Sequence, residues 1–221
     1  MKLSELHNII FESISSVINK SYEDRSGRII NYIKGFGSKG KLPSFSGSIK
    51  ELYREKFNEA YEWASKSSEE VRRYGRAWTE REIYVETIGR WKFNKRNLVY
   101  VERSIDLDMD EDLGELKYKS IGECWSWKKS NSESYCSNIS LLKNNVARVV
   151  ICGYVNPLSI DWLETIYINL YNMKNETEIR MNDDAYVEVS HILINGVKYS
   201  MGGSYIINAS SDKYNKNRKN W

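Results

Sequence analysis

Apolar residues recur at helical spacing in the first half of the chain and at alternating spacing in the second. Leu6, Ile9, Ile10, Ile14, Val17 and Ile18 fall at intervals of three and four behind Ser4, which predicts a capped helix ending near Ser21. A shorter helical piece follows from Ile29 to Ile33. Residues 35–48 hold four glycines, four serines and Pro43 and read as a loop or linker. From Ser48 a second helix sets Leu52, Phe57, Ala60, Tyr61 and Ala64 on one side. Ser67-Ser68-Glu69-Glu70 has the form of a new N-terminus with acids in its first turn, leading through Val71, Tyr74 and Trp78.

The texture changes at Leu98. Leu98 to Ile105 is rich in β-branched and aromatic residues and predicts a strand, followed by an acidic loop from Asp106 to Asp112. Further strands are expected at Val146 to Tyr154, Thr165 to Leu170, Glu178 to Met181, Tyr186 to Ile194, Val197 to Tyr199 and Ser204 to Asn208. Asn195-Gly196 predicts a tight hairpin turn between two of them. Lys128 to Leu142 has room for one short helix. The expected fold is α+β: a helical region over 1–97 packing on a mostly antiparallel β core over 98–209, with a polar, basic tail at 210–221.

Composition narrows the class. Of 221 residues 41% are hydrophobic, with 7 Trp and 16 Tyr, enough for a sizeable core. The N-terminus lacks the pattern of a signal peptide and no stretch reaches the length of a membrane span, so a cytoplasmic protein without a membrane partner is expected, with delivery into or synthesis in a host cell also open. Cys124, Cys136 and Cys152 are odd in number and lack C-x-x-C spacing, which argues for reduced thiols and against a metal site. Residues 1–100 carry 19 Lys and Arg against 13 Asp and Glu, and residues 101–221 carry 14 against 17. The first half therefore suits an anionic partner, though the imbalance is too small to define a nucleic-acid binder.

Three places in the β-rich half carry candidate chemistry. In Glu176-Thr177-Glu178, read as the start of a strand, both acids take one face and Thr177, Ile179 and Met181 the other, with the two acidic Cα atoms about 6.6 Å apart. Two carboxylates in one space repel, which suits an acid/base pair. Arg103 stands in an otherwise apolar strand, where a guanidinium that cannot shed its charge needs an anion or several acceptors. Gly122-Glu123-Cys124-Trp125-Ser126-Trp127 places Cys124 and Ser126 on one strand face and Trp125 on the other. Each has a plainer explanation: a solvated acidic strand, a structural ion pair, a core strand with buried tryptophans.

Taken in chain order, Tyr100-Val101-Glu102-Arg103, then Gly122-x-Cys124-Trp125-Ser126, then Glu176-Thr177-Glu178 resemble the mono-ADP-ribosyltransferases of the arginine–serine–glutamate class. The resemblance covers roughly residues 98 to 208. Ser134-Tyr135 is similar to part of the short helix after the serine strand, and Ile160-Asp161-Trp162 to the segment before the strand that leads to the catalytic loop.

The resemblance implies a split β core of the ADP-ribosyltransferase type, with NAD as substrate and no metal. It implies that Arg103 holds the cofactor phosphates in bidentate geometry. Ser126 would help position the nicotinamide ribose and the catalytic glutamate, with Cys124 and Trp125 also in the cofactor site. Glu178 would stabilise the oxocarbenium-like centre as nicotinamide leaves. Glu176 would orient or deprotonate the acceptor, and Tyr171, Asn172 and Asn175 belong to the acceptor-presenting loop. The implied partner is a protein with an exposed arginine; a nucleic-acid acceptor is the second choice. Cys124 stands where the family usually has serine, and Ser104 where glycine is frequent, which puts full activity in question because a thiol is a poorer hydrogen-bond partner. An NAD glycohydrolase and a non-catalytic β-rich interaction protein are the other readings. Acids on one strand face are badly placed for an ordinary glycosidase, and no P-loop or G-x-G-x-x-G occurs.

Overall fold

The computed structural model describes residues 12, 24–67, 80–109, 121–128, 146–171 and 177–210. These form an α+β architecture whose strands are all paired antiparallel. The expected first helix (except residue 12, which is helical), the helix start at 68–79, the helix at 129–142, Ser134-Tyr135, and the tail from 211 lie outside the described residues.

Helix α1 (residues 24–34) buries Ile29 and Ile33, one turn apart, and closes where the Gly35 N–H reaches the Asn31 and Tyr32 carbonyls. Strand β1 (Gly37–Lys39) comes next, inside what the glycine and serine content suggests is a loop. It pairs with the last strand so closely that a Cβ at Gly37 would meet the Ile206 carbonyl oxygen at 1.8 Å. The glycine that signals a loop here permits a strand. Helix α2 (Ile49–Ser67) starts as expected at Ser48, whose hydroxyl accepts the Glu51 N–H at 3.3 Å, and buries Tyr53, Phe57 and Ala60 along one stripe. Helix α3 (Glu80–Glu86) is tied to it by the Tyr53 hydroxyl, which donates to the Glu80 carbonyl at 2.9 Å.

The sheet is built from β2 (Val99–Asp108), β3 (Cys124–Ser126), β4 (Val146–Val155), β5 (Glu178–Arg180), β6 (Tyr186–Ile194), β7 (Val197–Tyr199) and β8 (Tyr205–Asn208), together with β1. Its order is β1-β8-β6-β4-β2-β3-β5, with β7 also on β6. β2, β4 and β6 present Val99, Val101, Leu107, Val149, Ile151, Val187, Val189 and Ile192 to one apolar core shared with α1, α2 and α3. Period-two alternation thus sets the buried face. Asn195 (φ 48°) and Gly196 (φ 84°) make the expected hairpin turn between β6 and β7.

Two expectations are corrected. The acids at 106 and 108 are not a loop: β2 continues through them, in register with β4 as far as Asp108 opposite Val146, because alternate residues such as Leu107 still face the core. Thr165 to Leu170 is not a strand but part of helix α4 (Trp162–Tyr171). Asp161 caps it, its carboxylate accepting the Glu164 N–H at 3.0 Å and its carbonyl the Thr165 N–H at 2.9 Å. A short apolar run has no decisive period, and the capping carboxylate decides between helix and strand.

Candidate functional site

The three strands that carry the candidate residues are neighbours, in the order β2-β3-β5. Ser126 is in register with Glu102 on one side and Glu178 on the other, so Glu102, Ser126 and Glu178 form a row across three strands on one face of the sheet. Cys124 and Arg180 are the adjacent pair on that face. The opposite face carries Trp125 and Ile179, both in the core. Trp125, expected among the cofactor contacts, is 2% exposed, with its indole N–H given to the Gly122 carbonyl at 2.8 Å. It is a packing residue.

β2 and β3 share a single paired position, Glu102 with Ser126. Beside this short join Arg103 reaches across and donates from Nη1 to the Cys124 carbonyl. Its Nε is buried without a hydrogen-bond partner. Burial pulls the guanidinium pKa down, opposed by Cys124, Glu178 and Glu123 nearby. Gly122 makes room for this arginine. It has φ +100°, and a Cβ there would come within 2.8 Å of the Arg103 Nη2. Gly122→Ala is therefore expected to cost about 1–3 kcal/mol of stability through strain in the left-handed region and to displace the Arg103 side chain. Urea unfolding, with a structure of the variant, checks both.

Ser126 is 2% exposed, and its hydroxyl is 2.7 Å from Thr177 Oγ1, the middle residue of the E-x-E. The Trp127 N–H to the Thr177 carbonyl (3.0 Å) reinforces the same junction. Ser126 therefore holds the residue before Glu178 rather than a carboxylate. Cys124 carries a thiol pushed up to about 11, chiefly by burial, so it is neutral at physiological pH. Its backbone carbonyl receives Arg103 Nη1.

Glu178 is 8% exposed. Its Oε1 lies 2.5 Å from Arg180 Nε, a charge contact that lacks the alignment of a hydrogen bond. Its carbonyl accepts the Asn169 side-chain N–H at 3.2 Å, and Asn169 also donates to the Thr165 carbonyl, so α4 is clamped onto β5. Arg180 pairs further with Glu123 at 2.9 Å and Glu164 at 3.8 Å. Burial opposes its charge, but Cys124, Glu178, Glu123 and Glu164 together hold its pKa above the ordinary value. Glu123 and Glu164 also line a cleft of about 570 Å³ with Asp161, Asp183 and Asp184.

Glu176, Asn172 and Asn175 lie outside the described residues, and Tyr171 is the last residue of α4. Of the two acids, the structure thus locates Glu178, the first residue of β5. Among the described residues no group of three or more His, Cys, Asp and Glu is arranged to hold a metal ion, and no helix is long and apolar enough to cross a membrane.

Two features of the site escape a motif search. Arg180 follows Glu178 at i, i+2 and so shares its face, a relation available from strand periodicity once attention moves beyond the acids. Glu102 is 2% exposed and accepts the Tyr100 hydroxyl at 2.6 Å. The Tyr100 phenol is held above its ordinary pKa by burial, with Glu102 adding to the effect. Tyr100→Phe removes a donor from this buried carboxylate, with an expected loss of about 1–3 kcal/mol, read as a lower midpoint in urea at unchanged slope.

Comparison with protein-family models, with curated proteins and with solved structures found no match.

Proposed function

We propose that the chain is an NAD-dependent mono-ADP-ribosyltransferase that releases nicotinamide and modifies an arginine of a target protein. The observation that carries this reading is that Arg103, Ser126 and Glu178 stand on three adjacent strands, Ser126 and Glu178 in register on one face and Arg103, one residue past Glu102, reaching over the narrow join to the Cys124 carbonyl. That single-pair join also favours the split core of the ADP-ribosyltransferase type.

Arg103 has donors to spare. One Nη1 bond goes to Cys124 and the buried Nε has no hydrogen-bond partner among the described residues, so a pyrophosphate at the guanidinium would supply acceptors to a cation that these surroundings leave short of them. Glu178, desolvated and fixed through Asn169, would face the positive charge that develops on the ribose as nicotinamide departs. Ser126 acts through Thr177 and keeps the E-x-E against β3. Glu176 takes the acceptor role, and Tyr171, Asn172 and Asn175 belong to the acceptor-presenting loop. Cys124 contributes its carbonyl to Arg103.

The test is incubation of the protein with labelled NAD and a cell lysate, reading label on macromolecules and free nicotinamide together. Label on protein, removed by treatments that cleave arginine linkages, supports the transferase. Label on nucleic acid redirects the acceptor, nicotinamide without label means a glycohydrolase, and neither product favours an interaction protein.

A further inference from the structure

We propose that Arg180 is the positioning residue for Glu178, orienting and charge-balancing that carboxylate; the inference rests on the transferase reading above. The two residues lie two positions apart on β5 and share the face that carries Ser126 and Cys124. The guanidinium is oriented through Nη1, which donates to Glu123 at 2.9 Å, while the backbone N–H of Arg180 is fixed by the Thr165 hydroxyl at 3.0 Å. Nε lies against Glu178 Oε1 at 2.5 Å, with Glu164 more distant from the same nitrogen at 3.8 Å.

That contact is unusual in kind. Among the described residues neither Glu178 Oε1 nor Arg180 Nε makes a hydrogen bond. An aligned bidentate pair would lock the carboxylate onto the arginine and spend both oxygens on it. A charge contact without alignment supplies a counter-charge to a carboxylate 8% exposed, yet leaves it free to direct a lone pair elsewhere. The arrangement fits a carboxylate that is largely withdrawn from water and must still address a substrate. A purely structural bridge needs only the Glu123 and Glu164 contacts.

The experiment compares wild type, Arg180→Met, Arg180→Lys, Glu123→Gln and Glu178→Gln for NAD cleavage, with thermal unfolding of each. Loss of the counter-charge is expected to lower kcat at least about tenfold in Arg180→Met, with KM for NAD changed less than about threefold, since a misplaced group near the chemistry costs rate rather than binding. Arg180→Lys should recover most of the rate, and Glu123→Gln should fall between the two. A wild-type kcat in Arg180→Met overturns the proposal while Glu178→Gln still tests the reading beneath it. So does a change confined to KM, or an equal loss in the Met and Lys variants that tracks their melting temperatures. A wild type that releases no nicotinamide overturns both.

Discussion

Glu178→Gln is expected to lower nicotinamide release by a factor on the order of 10²–10³ while the protein stays folded. Glutamine keeps the volume of the side chain and can still sit between Ser126 and Arg180, so the apolar packing of Trp125 and Ile179 on the opposite face is untouched. What disappears is the negative charge. In a buried place that charge cannot be replaced by water, and an amide dipole offers little to a ribose that becomes cationic as its bond to nicotinamide breaks. Arg180 keeps Glu123 and Glu164 as partners, so the variant does not leave a bare buried cation. The measurement is nicotinamide release over time at saturating NAD, beside a circular dichroism melt. Retention of more than about one tenth of the wild-type rate would exclude Glu178 from a role in charge stabilisation of this size.

Arg96→Met should give the largest loss of stability, about 2–3 kcal/mol, somewhat less than for a fully buried pair. Arg96 donates from Nη2 to Glu188 at 2.6 Å and from Nη1 to the Leu42 carbonyl at 2.7 Å, and Glu188 also accepts the Leu42 N–H at 2.8 Å. Glu188 is 7% exposed. One guanidinium thus ties β6 to the segments around residues 42 and 96, and its removal strands a buried carboxylate with the Leu42 amide as the remaining one of these two donors. Arg96 is itself partly exposed, at 31% of its side chain, so water reaches the gap and moderates the penalty. Urea unfolding should show a lower midpoint with the slope unchanged. The double variant with Glu188→Gln should recover part of the loss, because the uncompensated charge goes with the carboxylate. A loss below about 0.5 kcal/mol, ordinary for a surface change, would contradict the account.

The long strands were legible because one face must be buried: Tyr186 to Ile194 was read at the observed limits, and the first strand began within one residue of them. Its far end was not, because Asp106 and Asp108 look like loop residues unless the ladder to β4 is known. β1 was hidden by Gly37, whose missing side chain reflects the approach of Ile206 from far along the chain. α4 is hidden by an apolar run in which Asp161, a capping residue, is the decisive signal. Within the site, residue types and chain order brought Arg103, Ser126 and Glu178 into view. Register was the missing quantity. It places Glu102 in line with Ser126 and Glu178, sends Trp125 into the core, and gives Glu178 a neighbour in Arg180.

The one-residue join between β2 and β3 divides the sheet mechanically. On one side stand the long, multiply bonded strands β2, β4 and β6; on the other stand β3 and β5, three residues each. Main-chain pairing is thinnest at this seam, and β3 and β5 are held instead by Trp125 and Ile179 in the core and by α4 through Asn169. Arg103 crosses the seam, so a ligand that engages its guanidinium would bear on the place where the fewest ladder contacts join the two parts.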